Sequence, residues 1–421
     1  MNEEFLYYIW KYQKYDNTFL SVPMNEKLVV FNPGHHNQDA GPDFEEARVK
    51  IGSIEWVGNV EIHVKSSDWL RHKHSQNRAY DSVILHVVWE NDKVITINGA
   101  PIPTLELKGH VNNSLIETYK EHINSVEPIA CASQDTSKLA LHFASMLDKV
   151  LVERLEQKAA EVFSVLNETI NDWEEACYRV LLRNFGFSTN KQAFDQLAVK
   201  LPYAILKKNL DQRRIEALLF GQAGFLSKPV DSYSKSLKEE HAFLAKKHRL
   251  PYPMVRHEWK FSKIRPANFP TLRIAQLAAL INHVPGFFSS TITLKNASDI
   301  HKIFQFELSP YWNKHYDFGK RKRETKNPFG KTTKDHLIIN TIVPILAAYS
   351  KFTDNQRPME LAIELLEQTP SEKNRIINHW ISLGKVPKSA FESQAELQLY
   401  KEYCQKRKCL SCTVGVSLLN K

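Results

Sequence analysis

The period of the apolar residues changes near residue 135, and that change constrains the fold more than any other feature. Before it, apolar residues come in short runs or in alternation: KLVVF (27–31), ARVKI (47–51), SIEWV (53–57), VEIHV (60–64) and SVILHVVWEN (82–91). Alternation sends successive side chains to opposite faces of a strand, and a short continuous apolar run suits a strand covered on both faces. After it, Leu139, Phe143, Met146, Val150, Leu155, Val162 and Leu166 recur at helical spacing. The expectation is an α+β chain in two parts. Residues 1–130 form a mixed sheet with a helix at 5–13, and Gly52 with Ser53 turns a hairpin. Residues 131–421 form a mostly α-helical domain, with helices near 137–166, 171–185, 191–199, 212–220, 232–248, 270–282, 334–350, 357–368, 371–383 and 393–405.

At 421 residues the chain is long enough to bury a large core. It has no stretch of ~20 apolar residues, so no membrane-spanning helix is expected. The start, MNEEFLYYIWKYQ, lacks the basic opening and small-residue cleavage site of a signal peptide, which points to the cytoplasm. The formal net charge of +9 leans toward polyanionic partners such as nucleic acid. The five cysteines are an odd number, which argues against a disulfide framework.

One loop departs from both periods. FNPGHHNQDAGPDF (31–44) crowds His35, His36, Asn37, Gln38, Asp39 and Asp43 between glycines and prolines. Asp43 opens the strand that follows, and Glu61 sits in the next one. Strand alternation puts Glu61, His63 and Lys65 on one face, and Val60, Ile62 and Val64 on the other. Two carboxylates on adjacent strands can hold Mg²⁺ or Mn²⁺, which prefer oxygen ligands. Such an ion polarises a phosphate and activates water, with Lys65 or His63 assisting.

GPDF, followed after a hairpin by VEIHVK, resembles the PD-(D/E)XK motif of restriction-endonuclease-like nucleases. The order helix, three strands, helix, strand is similar to their core. The resemblance implies a restriction-endonuclease-like fold and metal-dependent phosphodiester hydrolysis on DNA or RNA. Asp43 and Glu61 would be the metal ligands, with His63 and Lys65 as further catalytic groups. The chain departs from that motif at one position: the lysine place holds His63, and Lys65 lies two residues on. Across its length the chain also resembles a bacterial domain-of-unknown-function family, through GPDF, GNVEIHVKSSDW, HKH, ILHVVWEND and the cysteine-rich end.

Other residues leave alternatives open. His35, His36, His63, His72, His74 and His86 can instead assemble a Zn²⁺ site with Asp43 or Asp68, giving a zinc-dependent hydrolase. A fold retained only for nucleic-acid binding or as a scaffold is a third reading. Trp69 is expected to pack the domain. Near the end, CQKRKCLSC places Cys404, Cys409 and Cys412 at spacings that suit Zn²⁺ or an iron–sulfur cluster. A fourth ligand must come from Cys131, Cys177 or a histidine. Lys401, Lys406, Arg407 and Lys408 should lower the pKa of these thiols. The densest basic run contains Lys320, Arg321, Lys322, Arg323, Lys326, Lys331 and Lys334, with Asn327 and Pro328 keeping it irregular. A second basic stretch holds Lys260, Lys263, Arg265 and Arg273. Both are candidate phosphate contacts, and Tyr311, Trp312, Tyr316, Phe318 and Phe329 are candidate stacking platforms.

Overall fold

A computed structural model describes residues 1–22, 26–37, 39–97, 99–134, 137–324 and 329–419. Gln38, Lys326, Asn327 and Pro328 lie outside the described residues. The chain divides into two compact units, one of residues 1–146 with 400–421 and one of residues 147–399. The boundary expected at 130/131 puts the cysteine-bearing end with the helical part. That end packs with the first unit instead.

The first unit begins with helix α1 (Glu3–Lys11), capped by the Asn2 side chain, which accepts from the Phe5 amide at 3.2 Å. Strands β1 (Ser21–Val22), β2 (Glu26–Asn32), β3 (His35–His36), β4 (Phe44–Ile51) and β5 (Ile54–Lys65) follow. A one-turn helix α2 (Asp68–Arg71) and two 3-10 turns lead into β6 (Val83–Glu90). Then come β7 (Thr96–Ile97), β8 (Ala100–Pro101), β9 (Thr104–Glu106) and helix α3 (Asn113–Asn124). The main sheet runs β1-β2-β4-β5-β6-β9, with β3 also paired to β4. Pairing is antiparallel through β5, then parallel for β5–β6 and β6–β9. The four long strands expected from the sequence thus share one sheet.

The two faces of the sheet are covered differently. Val60, Ile62, Leu85, Val87 and Leu105 pack with Phe5, Leu6, Ile9 and Trp10 of α1 and Ile116 and Tyr119 of α3. Burial of these side chains, at about 1.5–3 kcal/mol each, is the main force fixing α1 to the sheet. The opposite face carries a smaller cluster of Trp69, Tyr80, Val83, Ile95 and Ile102. In the parallel pairing Glu61 lies opposite His86, and both belong to that second face. Glu61, His63, His74 and His86 are all buried there. Glu61 and His63, two of the three polar residues of VEIHVK, are therefore not on a solvated face, and only Lys65 is exposed. The two line a second, partly polar interior.

The second unit is mostly helical among its described residues. Its helices include Trp173–Phe185, Phe187–Lys200, Gln212–Gln222, Ser232–His248, Pro270–His283 and Gln356–Gln368, with one short hairpin of His315–Asp317 and Lys320–Arg321. The sequence predicts one helix over 334–350. The structure has Lys331–Leu337 and Val343–Thr353 joined by a π turn at Ile338–Ile342, where Pro344 has no amide to give an unbroken α ladder. No described helix is long and apolar enough to cross a membrane.

Candidate metal centre

The site begins with two carboxylates tied to each other's strands. The Asp43 amide donates to Glu61 Oε2 at 3.1 Å, and the Ile62 amide donates to Asp43 Oδ2 at 2.9 Å. Each carboxylate thus has one oxygen anchored by a backbone N–H. A bulge in β4 makes this possible: Glu46 sits at φ +58° and the register with β5 shifts between Phe44 and Ala47. The loop before Asp43 is closed by Asn37, whose amide donates to the Asp43 carbonyl at 2.9 Å and whose side chain donates to the Pro42 carbonyl at 3.1 Å. The crowding of polar residues in this loop is largely structural. His35 and His36 form β3, and His36 packs between Tyr7 and Phe44 at 5.3 and 5.1 Å. Neither joins the other histidines.

Four histidines do converge, on Glu61. Its Oε1 lies 3.1 Å from His74 Nε2 and 3.6 Å from His63 Nε2. His63 Nε2 lies 3.1 Å from His72 Nδ1, and His63 Nδ1 lies 2.9 Å from His86 Nε2. One nitrogen from each of His63, His72 and His74 falls within 4.8 Å of the others. His72 is exposed while the other two are buried, so the group opens to solvent on that side. The short contact from His74 Nε2 to Glu61 does not form a hydrogen bond, and this buried nitrogen has no hydrogen-bond partner among the described residues. A cation held between Glu61 and the imidazoles would satisfy it.

What brings His72 and His74 together is a turn. Lys73 between them has φ +60° and ψ +30°, which folds the H-x-H segment back on itself after α2. Trp69 walls the cluster. Its ring lies 5.2 Å from His86, 5.3 Å from His74 and 5.9 Å from Tyr80, and its Nε1 donates to Ser75 Oγ at 3.0 Å. Tyr80 stacks on His74 at 3.8 Å. Asp68 is occupied elsewhere, accepting from the Lys65 amide at 3.1 Å and pairing with Arg71 at 3.1 Å.

Burial sets the protonation states. It pushes Glu61 up to about 9, helped by the neighbouring Asp43 charge, and Asp43 up to about 6 against the hydrogen bonds from Ile62 and Tyr7. It holds His63 down at about 2, His86 at about 3 and His74 at about 4. Neutral imidazoles are what a metal requires of histidine ligands.

Two contributors escape the sequence pattern. Tyr7 hydrogen-bonds Asp43, and Glu3 one helical turn earlier lies within electrostatic reach of Asp43, Glu61 and His72. Their i, i+4 spacing puts both on one face of α1. The only signal in the sequence is that this face is acidic and phenolic while the other is apolar. Lys65, by contrast, stands exposed at the end of β5, and its amine has no hydrogen bond or ion pair among the described residues.

The chain matches the family described as protein of unknown function DUF2851 over residues 3–375. It belongs to this family. The DUF2851 span contains Asp43, Glu61, the four converging histidines and Cys131, and it ends before Cys404. No curated protein and no solved structure gives a significant match.

Three expectations about charge and aromatic residues need correction. Burial raises Cys404 and takes Cys409 to about 12, with neighbouring thiols adding to the effect, so the lowering pull of Arg407 is outweighed. Lys406 is exposed and paired with Glu402 at 2.5 Å, and Arg407 is spent on backbone carbonyls. Trp312, Phe318 and Phe329 are buried core residues, with Trp312 Nε1 donating to Glu216 at 3.1 Å, so they offer no stacking surface. Arg273 is buried too, bonded to Asn268, Gln276 and Thr333. Lys320, Arg321 and Arg323 are exposed, and Lys320 pairs with Asp317 at 3.3 Å.

Proposed function

We propose that the first unit is a metal-dependent hydrolase centre that cleaves phosphodiester bonds in nucleic acid. The convergence of Glu61 with His63, His72 and His74 carries this reading. A donor set of imidazoles and one carboxylate suits Zn²⁺ or Mn²⁺ better than Mg²⁺, which prefers oxygen throughout. The pair Asp43 and Glu61 on a hairpin, the strand order that follows and the net charge of +9 support a phosphodiester as the substrate class.

The chain's own groups divide the work. The bound ion would supply a water of lowered pKa and charge for the phosphate oxygens. Asp43, held near 6, is suited to accept a proton from that water at neutral pH. The amides of Asp43 and Ile62 keep the two carboxylates apart and oriented. His86 fixes the ring of His63 from behind. The exposed position of Lys65 leaves His63 as the group that replaces the motif lysine.

The test is cleavage of labelled single- and double-stranded DNA and RNA by the pure protein with Mg²⁺, Mn²⁺ or Zn²⁺ added singly. Cleavage with Mn²⁺ or Zn²⁺ is expected, and it should be abolished in Asp43→Asn and Glu61→Gln with the fold intact. Binding of nucleic acid without cleavage under any metal would favour the reading as a non-catalytic binder. Full activity in Asp43→Asn would remove Asp43 from the chemistry.

A further inference from the structure

The spacing of the three C-terminal cysteines leaves their fourth ligand to a distant part of the chain. Cys131 belongs to the same compact unit as those three. The segment before Cys131 and the segment around Cys404–Cys412 are stitched together by Arg407, whose guanidinium donates to the Ser125 carbonyl at 2.5 Å, the Glu127 carbonyl at 2.9 Å and the Cys404 carbonyl at 3.3 Å. Arg407 sits at φ +54°, so the chain reverses there between Cys404 and Cys409. The reversal is closed by the Lys408 amide donating to the Tyr403 carbonyl at 2.9 Å. A 3-10 turn then carries Cys409 to Cys412, with the Cys412 amide donating to the Cys409 carbonyl at 3.2 Å. Next, helix Thr413–Leu419 folds back so closely that a Cβ on Gly415 would lie 2.3 Å from the Cys409 carbonyl oxygen. Cys131 and Cys412 pack into one small cluster with Leu139, Val414 and Leu418.

We propose that Cys131, Cys404, Cys409 and Cys412 form one four-thiolate site for a thiophilic metal centre, Zn²⁺ or an iron–sulfur cluster, which fastens residues 400–421 to the first unit. Three observations converge on it. The two segments are held side by side by Arg407, independently of any thiol. The four thiols all lie within electrostatic reach of Cys409 or Cys404, and none is in a disulfide. Thiols gathered from two distant segments, with Cys131 and Cys412 against one small cluster and Cys409 buried, are a poor way to fill a core, because each sulfur gains little from the others and a metal gains much. A site of four sulfurs takes Zn²⁺ or iron in preference to hard cations. Binding Zn²⁺ would release four protons from four thiols and leave a centre of charge −2, for which Arg407 is the adjacent cation. Cys177 is buried in the second unit and takes no part.

The experiment uses the full-length chain, purified without oxygen from cells supplied with zinc and iron. Elemental analysis, acid-labile sulfide and the visible spectrum distinguish colourless zinc from an iron–sulfur chromophore. Because the histidine centre also binds metal, the decisive reading is Co²⁺ added to metal-stripped protein. Intense thiolate-to-metal charge-transfer absorption is expected in the wild type, in His63→Ala and in Cys177→Ser. In Cys131→Ser it should lose about a quarter of its intensity at saturating Co²⁺, one of four thiolate bonds being gone, and the Co²⁺ affinity should fall. A Cys131→Ser chain that misfolds is covered by a second reading on the wild type. Removing the metal with a strong chelator should free four thiols to a thiol reagent and open residues 400–421 to proteolysis. Absence of thiolate charge transfer in the wild type, or its full retention in Cys131→Ser, would overturn the proposal without touching the histidine centre.

Discussion

Glu61 is a carboxylate placed where a carboxylate is costly, and its titration should report on the site. Its folded pKa of about 9 stands above the ordinary 4.5, so the metal-free fold binds that proton more tightly than the unfolded chain does. Its contribution to stability is therefore complete below about pH 4.5 and is lost as pH rises through about 9. Glu61→Gln should melt like the wild type in acid and be more stable by ~1–3 kcal/mol at the alkaline end, when both are metal-free. A cation takes the place of the proton, so metal affinity of the wild type should rise by about tenfold per pH unit on the way up to that pKa. Calorimetric titration with Mn²⁺ or Zn²⁺ at several pH values checks the slope, and a flat profile would detach Glu61 from the metal. His86 makes a second test at this scale. His86→Phe keeps a buried ring but removes the partner of His63 Nδ1 at 2.9 Å, and metal affinity should drop by about 10–100-fold with cleavage falling alongside.

Two backbone positions decide whether the elements can bring these side chains together. Gly58 lets β5 lie against β6, since a Cβ there would meet Ile84 Cγ2 at 2.5 Å and the Ser82 carbonyl oxygen at 2.9 Å. Gly58→Ala should cost ~1–3 kcal/mol in urea unfolding, because the backbone must shift to admit it. The shift would move Glu61 away from His86 and weaken metal binding with it. An unchanged urea midpoint would show that β6 can yield. Lys73 acts at the other edge of the site. Its left-handed conformation is readily taken by glycine and poorly by β-branched residues. Lys73→Gly should keep metal affinity, and Lys73→Val should lose it with a penalty of ~1–2 kcal/mol in stability. Equal metal affinity in the two variants would mean that the turn does not position His72 and His74.

Across the whole molecule, positive charge exceeds negative by nine, and the helical unit presents part of it on an irregular hairpin. Lys320, Arg321 and Arg323 are exposed there and Lys322 is partly so, although Asp317 and Glu324 neutralise some of the local charge. If the hairpin binds phosphates, replacing these four residues with alanine should weaken binding to duplex DNA. The dependence of log affinity on log salt should flatten by up to about 0.9 for each phosphate that is no longer neutralised. Any turnover on short substrates should be little changed, since the proposed metal ligands belong to the other unit. Identical affinity and salt slope would return the run to a solvated surface.

The sequence by itself determined most of the elements and the pairing of two carboxylates. Periods of two and of three to four residues are local properties, so they marked the four long strands, most of the helices and the change of class between the two parts. The pairing of Asp43 with Glu61 was legible for the same reason: a hairpin fixes its own register over a few residues. The convergence of the histidines was legible only as one alternative, drawn from six of them, and which four meet was not, because it depends on a lysine in a left-handed turn and on the parallel register of β5 with β6. Tyr7 and Glu3 were hidden because α1 returns to the sheet only through core packing. The packing of Cys131 near Cys412 could not be read from the sequence, because the two are distant along the chain and Arg407 ties their segments together only in the fold. Exposure also had to wait for the fold: periodicity shows which side of a strand is polar, but only tertiary packing decided that Glu61 and His63 are interior and that Trp312 and Arg273 are buried.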